Sequence, residues 1–140
     1  MSIQYNEMTI QDYADVIDLW QNSPGIGLSD ADSREAISIY LARNPGHSFV
    51  ARDQGKLAGA VLCGHDGRRG YLHHLAVWPA YRRQGIGQAL VEHCLKRLKA
   101  AGVDKCHIFV YNTNSEAHLF WEKVGWLQRT NLVLMSKELP

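Results

Sequence analysis

The stretch Leu75-Ala76-Val77-Trp78-Pro79-Ala80-Tyr81-Arg82-Arg83-Gln84-Gly85-Ile86-Gly87-Gln88-Ala89-Leu90 decides how this chain folds, because its periodicity changes partway along. Residues 71–77 form a short apolar and aromatic run of strand length. Beyond the loop, Ile86, Ala89, Leu90, Cys94, Leu95, Leu98 and Ala101 recur at helical spacing, with Gln88, Glu92, His93, Lys96 and Lys99 on the other side. Glu92 precedes Lys96 by four residues, a supportive pair, and Gly102 is placed to stop the helix. The reading is strand, proline-marked turn, basic glycine loop, helix.

A helix start carries unpaired N–H groups and the positive end of a dipole, so it suits an anion. Gly85 and Gly87 remove side chains that would hold a phosphate away from those groups, while Arg82 and Arg83 add charge. A diphosphate-bearing ligand at the head of the helix spanning 86–101 follows. The rival reading is a glycine turn with solvated arginines. Two nucleotide motifs are excluded. The dinucleotide fingerprint needs three glycines and only two are present. A P-loop needs Lys-Ser/Thr where Gln88-Ala89 stands.

Length and composition bound the rest. At 140 residues the chain fits one domain over 1–140, and 46% hydrophobic with 21% charged residues describes a folded protein. A net charge of +1 argues against bulk binding to nucleic acid or to an anionic membrane. Cys63, Cys94 and Cys106 are odd in number and read as buried free thiols in a reducing cytosol. Seven histidines show no zinc spacing and no C-x-x-C pair occurs, so no metal site is expected. With no signal-peptide pattern and no run long enough to span a bilayer, the expected location is cytoplasmic.

In chain order, residues 3–8 read as an edge strand. Thr9 with Asp12 caps a helix carrying Ile10, Tyr13, Val16, Ile17 and Trp20, and residues 22–27 form a loop. A second helix starts at Asp32 or Ser33 and ends before Pro45-Gly46. Strands at 48–52 and 56–64 flank the turn Asp53-Gln54-Gly55, and the strand at 71–77 follows. A strand at 105–110, joined to it by a helix, should lie parallel to it. Thr113 and Glu116 have capping-box spacing for a last helix starting near Asn114 and ending at Gly125, and residues 132–139 should close the sheet as a final strand.

Arg82-Arg83-Gln84-Gly85-Ile86-Gly87 is similar to the R/Q-x-x-G-x-G/A motif of the GNAT superfamily of N-acetyltransferases, and it follows a strand ending Leu-Ala-Val as it does there. A second family pattern, N-x-x-A-x-x-F/L-Y-x-x-x-G-F, is resembled by Asn114-Ser115-Glu116-Ala117-His118-Leu119-Phe120-Trp121-Glu122-Lys123-Val124-Gly125-Trp126. Both motifs, in order and separated by one helix and one strand, make the resemblance specific over about residues 48–138; the first 45 residues match in layout only.

The resemblance implies an α/β fold with a central mixed sheet flanked by helices, in which a parallel strand pair splays apart. Unmatched main-chain groups along such a splay can take pantetheine as an added strand. The co-substrate implied is acetyl-coenzyme A. Leu75, Ala76 and Val77 would hold its pantetheine arm, and Arg82, Arg83, Gln84, Gly85, Ile86, Gly87 and Gln88 its diphosphate. Asn114 would hydrogen-bond it, the rival reading being a plain helix cap. The reaction implied is direct acetyl transfer to a primary amine of a small molecule or protein.

Transfer needs a deprotonated amine, a polarised carbonyl and a proton for the thiolate. His73 is the expected base: on regular alternation it shares a face with Leu75 and Val77, and some family members carry histidines at the positions of Tyr71 and His73. The rival reading is a hydrogen-bonded structural histidine. His74 should face the other way. Part of the acceptor site is expected near residues 24–28. Two departures stand out: Trp121 replaces the family's tyrosine proton donor, and Phe109 stands where ribosomal-protein acetyltransferases carry a basic Glu. They motivate an alternative, a non-catalytic acyl-coenzyme A-binding regulatory module; transfer of a longer acyl group is a third reading. A homodimer through an edge strand is compatible with the sequence and not required by it.

Overall fold

Turn chemistry sets the strand register in the first half of the chain. Residues 2–140 are described by the computed structural model, and they divide into one unit ending at Phe109 and another running from Val110 to Pro140. The first unit holds a five-stranded sheet in the order β1-β2-β3-β4-β5, built from β1 (Ile3–Glu7), β2 (Phe49–Asp53), β3 (Lys56–His65), β4 (Gly70–Val77) and β5 (Cys106–Ile108). The Gln54-Gly55 turn, both residues at positive φ, closes β2 onto β3 with Asp53 opposite Lys56. Among the described residues only β4 and β5 pair in parallel, as their connection through a helix requires.

Helices cover both faces. On one, α1 (Tyr13–Gln21) and α2 (Arg34–Arg43) bury Val16, Leu19, Trp20 and Ile37 against Val50, Leu57, Ala60, Leu62 and Ala76. Each such large side chain contributes about 1.5–3 kcal/mol by leaving water. The caps agree with the sequence. The Thr9 N–H donates to Asp12 Oδ2 (2.9 Å) ahead of a 3-10 turn, Ile10–Asp12, that leads into α1. Ser33 Oγ accepts from the Ala36 N–H (3.1 Å) at the head of α2. On the opposite face α3 (Ile86–Ala100) buries Ile86, Leu90, Val91, Cys94 and Leu98. It sits so close that a Cβ on Gly59 would meet Leu90 and Val77 at 3.2 Å, and one on Gly70 would meet Leu98 at 2.6 Å.

The second unit holds α4 (Ser115–Lys123), in which Trp121 packs edge-on against Phe120 and Trp126. Two expectations fail here. Asn114, not Thr113, is the capping residue, its Oδ1 accepting from the Ala117 N–H at 3.1 Å. Residues 132–139 form no strand. Apolar alternation gives a segment a face but no ladder partner, and none pairs with Val133 or Met135, which are 85% and 88% exposed. Strand β5 is also shorter than the 105–110 expected.

No helix among the described residues is long and apolar enough to cross a membrane. Cys63 and Cys94 are buried, whereas Cys106 is half-buried, and all three are free. Contact with Cys63 and burial push the Cys94 thiol far above its ordinary value, and burial takes Cys106 to about 12. The Cys94 and Cys106 thiols are therefore protonated and unreactive near neutral pH.

Candidate active site

Two segments of the first unit gather the candidate residues: the loop between β4 and α3, and β4 itself. At the loop, a 3-10 turn at Pro79–Tyr81 is tied to the β2–β3 hairpin by the Tyr81 hydroxyl, which donates to Asp53 Oδ2 (2.9 Å). Arg83 then adopts φ 64° and Gly85 φ 77°, both in the left-handed region. That bend turns the chain into α3, whose first helical bond runs from the Ala89 N–H to the Gly85 carbonyl (3.0 Å). The main-chain N–H groups of Arg83 through Gln88 donate no hydrogen bond among the described residues. A row of free donors at a helix head attracts an anion. A Cβ on Gly85 would meet nothing within 4 Å, so glycine is there for its backbone angle and for the open approach. Ile86 contributes only its main chain, since its side chain is buried. Arg82 does not simply reach into solvent: its Nε donates to the Val77 carbonyl (3.1 Å), tying the loop back to the strand end.

Along β4 the ladder to β5 covers Gly70, Tyr71 and Leu72, opposite Cys106, His107 and Ile108, and then stops. Beyond Leu72 the two strands part, leaving the β5-side main chain of Leu75, Ala76 and Val77 unpaired by β5. On its other edge β4 stays paired with β3, but the register slips: Leu62 faces His73 while Ala60 faces Ala76, so β4 carries one extra residue. His74 takes φ 57° at this bulge.

The bulge corrects the alternation read from the sequence. Tyr40 of α2 lies edge-on to His73, with centroids 6.4 Å apart, and Trp20 of α1 lies edge-on to His74 at 4.9 Å. Both histidines therefore face α1 and α2, whereas Val77 faces α3. His73 does not share a face with Val77, and His74 does not point away from His73. An extra residue inverts the pattern downstream of it.

Tyr71, His73 and Phe109 form a stack of near-parallel rings. Tyr71 lies 6.5 Å from His73 and 6.1 Å from Phe109, with His73 6.2 Å from Phe109 and interplanar angles of 10–21°. Burial, then the charge of His74, holds His73 below the ordinary histidine value, with Asp32 pulling the other way. The imidazole is thus neutral near pH 7, as a base must be. Asn114 belongs to the second unit, where it is seen capping α4. Sequence reasoning gave Asp32 and Tyr40 a place at the second helix and no part in the site. Asp32 carries a signal only in its spacing from Ser29, three residues earlier, which is that of a cap.

The sequence profile of the acetyltransferase (GNAT) family matches residues 13–126. The chain belongs to that family and is an N-acetyltransferase in class. An acetyltransferase of Sodalis glossinidius (strain morsitans) is 30% identical over 128 residues, covering 91% of this chain and 89% of the relative. One of Photorhabdus laumondii is 32% identical over 133 residues, covering 91% and 90%. Among solved structures, the PaiA N-acetyltransferase of Thermoplasma acidophilum in complex with coenzyme A shares the fold with a TM-score of 0.76, at 22% identity and 88% coverage of both chains. AAC(6')-Iy, in complex with a bisubstrate analogue of coenzyme A and monomethyl-acetylneamine, does so with a TM-score of 0.79, at 16% identity over 99% of this chain and all of that one.

Proposed function

We propose that this chain moves the acetyl group of acetyl-coenzyme A directly to a primary amine of a small molecule or a protein. The observation that carries the reading is the run of unpaired N–H groups from Arg83 to Gln88 at the head of α3, directly after a strand whose edge is open beyond Leu72. The first suits a diphosphate and the second an amide-bearing arm laid alongside Leu75, Ala76 and Val77. Coenzyme A bound by a structural neighbour and family membership support the same assignment. The family match runs through both units, which supports one functional domain over 1–140. Three free thiols support a reducing, cytoplasmic setting.

In this reading His73 takes the proton of the attacking amine. Its neutral state follows from burial, and its ring is held between Tyr71, Tyr40 and Phe109. Tyr71 belongs to the catalytic wall by that stacking.

The test has two arms, coenzyme A titration by calorimetry and thiol release across a panel of amines and peptides. Saturable heat, with thiol release that depends on an amine, is expected. No binding of coenzyme A sinks the proposal. Binding with no turnover on any amine replaces it with the regulatory module that Trp121 and Phe109 suggest.

A further inference from the structure

The chemistry above leaves one buried carboxylate without a task. Asp32 ends a 3-10 turn, Asp30–Asp32, between α1 and α2, and is 7% exposed. Both of its oxygens are taken. Oδ1 lies 2.9 Å from His74 Nε2, and Oδ2 accepts from the Ser29 N–H at 3.0 Å. Its carbonyl accepts from the Tyr13 hydroxyl at 2.6 Å, which fixes the turn to α1. A carboxylate only accepts, so His74 donates through Nε2 and its proton is held on that nitrogen.

Packing alone does not explain this arrangement. A side chain needed only to fill this space would be apolar, because burying a carboxylate is costly unless it is paired and hydrogen-bonded, as Asp32 is by His74 and the Ser29 N–H. His74 also keeps a left-handed φ of 57°, costly for a residue with a Cβ, and the bulge that imposes it brings His74 onto the face of His73. The two imidazole centroids are 6.4 Å apart, too far for a direct hydrogen bond and near enough for charge on one ring to act on the other.

We infer that Asp32 and His74 are a positioning pair for His73: the carboxylate fixes the ring and proton of His74, and the pair together sets the charge that His73 meets when it accepts a proton. The inference rests on the acetyl-transfer reading for its purpose, and on geometry for its existence. With the Nε2–H of His74 committed to Asp32, the carboxylate favours the imidazolium formed on His73 as the amine loses its proton, and positive charge on His74 opposes it. The only bond made at this step is N–H on His73 and the only one broken is N–H on the amine. The other titratable groups around the pair are Tyr13 from α1, with the Arg34 guanidinium of α2 over its ring at 5.8 Å, Tyr40 from α2, and Tyr71 from β4 with His107 of β5 against it. Burial holds the Tyr40 hydroxyl far above its ordinary value.

The test reads the imidazoles directly, in protein carrying nitrogen-15 histidine, by NMR titration of the wild type, Asp32→Asn and His74→Gln. Asp32→Asn should lower the His73 midpoint by about half a pH unit or more, and His74→Gln should raise it. Glutamine still offers an N–H to Asp32, so that variant leaves the buried carboxylate paired, and circular dichroism checks that both variants fold. In kinetics, Asp32→Asn should cost about tenfold in kcat/KM, with the acid limb moved to lower pH and coenzyme A affinity unchanged. A His73 midpoint that stays in place in both variants overturns the pair, whether or not acetyl transfer occurs. Midpoints that move as expected in a protein that acetylates no amine uphold the pair and overturn the transfer reading instead.

Discussion

The two halves of β4 share a strand and do opposite work. From Gly70 to Leu72 the strand is paired on both edges, opposite β3 and β5, and Gly70 is pressed against Leu98 of α3. From His73 to Val77 it keeps one neighbour, carries an extra residue, and holds His74 in the left-handed region. The first half shows how a strand stabilises a fold: satisfied ladders and a close helix. The second gives up one ladder and regular alternation, and gains an open edge and two histidines on one face. Strain and unpaired groups are tolerable there because the first half anchors the same strand.

The sharpest way to break that comparison is with two glycines, one serving each half. Gly85→Val, in the loop that continues the open half, forces a β-branched residue into φ 77°, where it meets no neighbour. The expected result is a folded protein whose coenzyme A affinity falls roughly a hundredfold or more, since the bend that aims the N–H row is lost. Gly70→Ala should do the reverse. Its Cβ would lie 2.6 Å from a methyl of Leu98, so overpacking should cost roughly 1–3 kcal/mol of stability while affinity is kept. Calorimetry and thermal unfolding on both variants decide it. If both lose stability and keep affinity, the loop is only a turn.

A second effect, about a hundredfold, is expected in turnover for His73→Ala, with coenzyme A affinity retained. Because burial holds His73 below its ordinary 6.5, the wild-type kcat/KM should stay level down to about 6.5 and fall only in more acid solution. The same shift acts on stability. The unfolded chain binds this proton near 6.5 and the folded chain only at lower pH, so stability present above 6.5 is lost as pH falls through the folded value. A pH–rate profile that is unchanged in His73→Ala removes His73 as the base and leaves the open half of β4 as a binding surface only.

What the sequence made legible follows from where local rules suffice. The loop at residues 82–88 is written in its own residues: two glycines, two arginines and a change of period from strand to helix. The same is true of the Ser33 and Asn114 caps, although capping-box spacing pointed one residue early at Thr113. The bulge was not legible. Whether a strand slips by one residue depends on its neighbour β3, and nothing within residues 71–77 announces it. The misplacement of His74 follows from that single slip, and so does the late appearance of Asp32, 42 residues away in sequence. The strand expected at 132–139 failed for the related reason that pairing is a property of two segments.

The smallest expected effect sharpens the comparison most, because it separates strain from charge at one position. Arg83 sits at φ 64°, outside the usual range for a residue with a Cβ, and its side chain makes no hydrogen bond among the described residues. Arg83→Gly relieves the backbone, worth about 1 kcal/mol before the added freedom of the unfolded chain is subtracted, so a net gain of a few tenths of a kcal/mol is expected. The same change removes a cation beside the N–H row, and coenzyme A affinity should drop up to about tenfold, more at low salt than at high. Higher thermal stability with weaker, salt-sensitive binding would mean that strain is kept at this bend for the sake of the ligand. If stability rises and affinity does not change, the arginine is there for the turn alone, and the anion is held by main-chain groups without it.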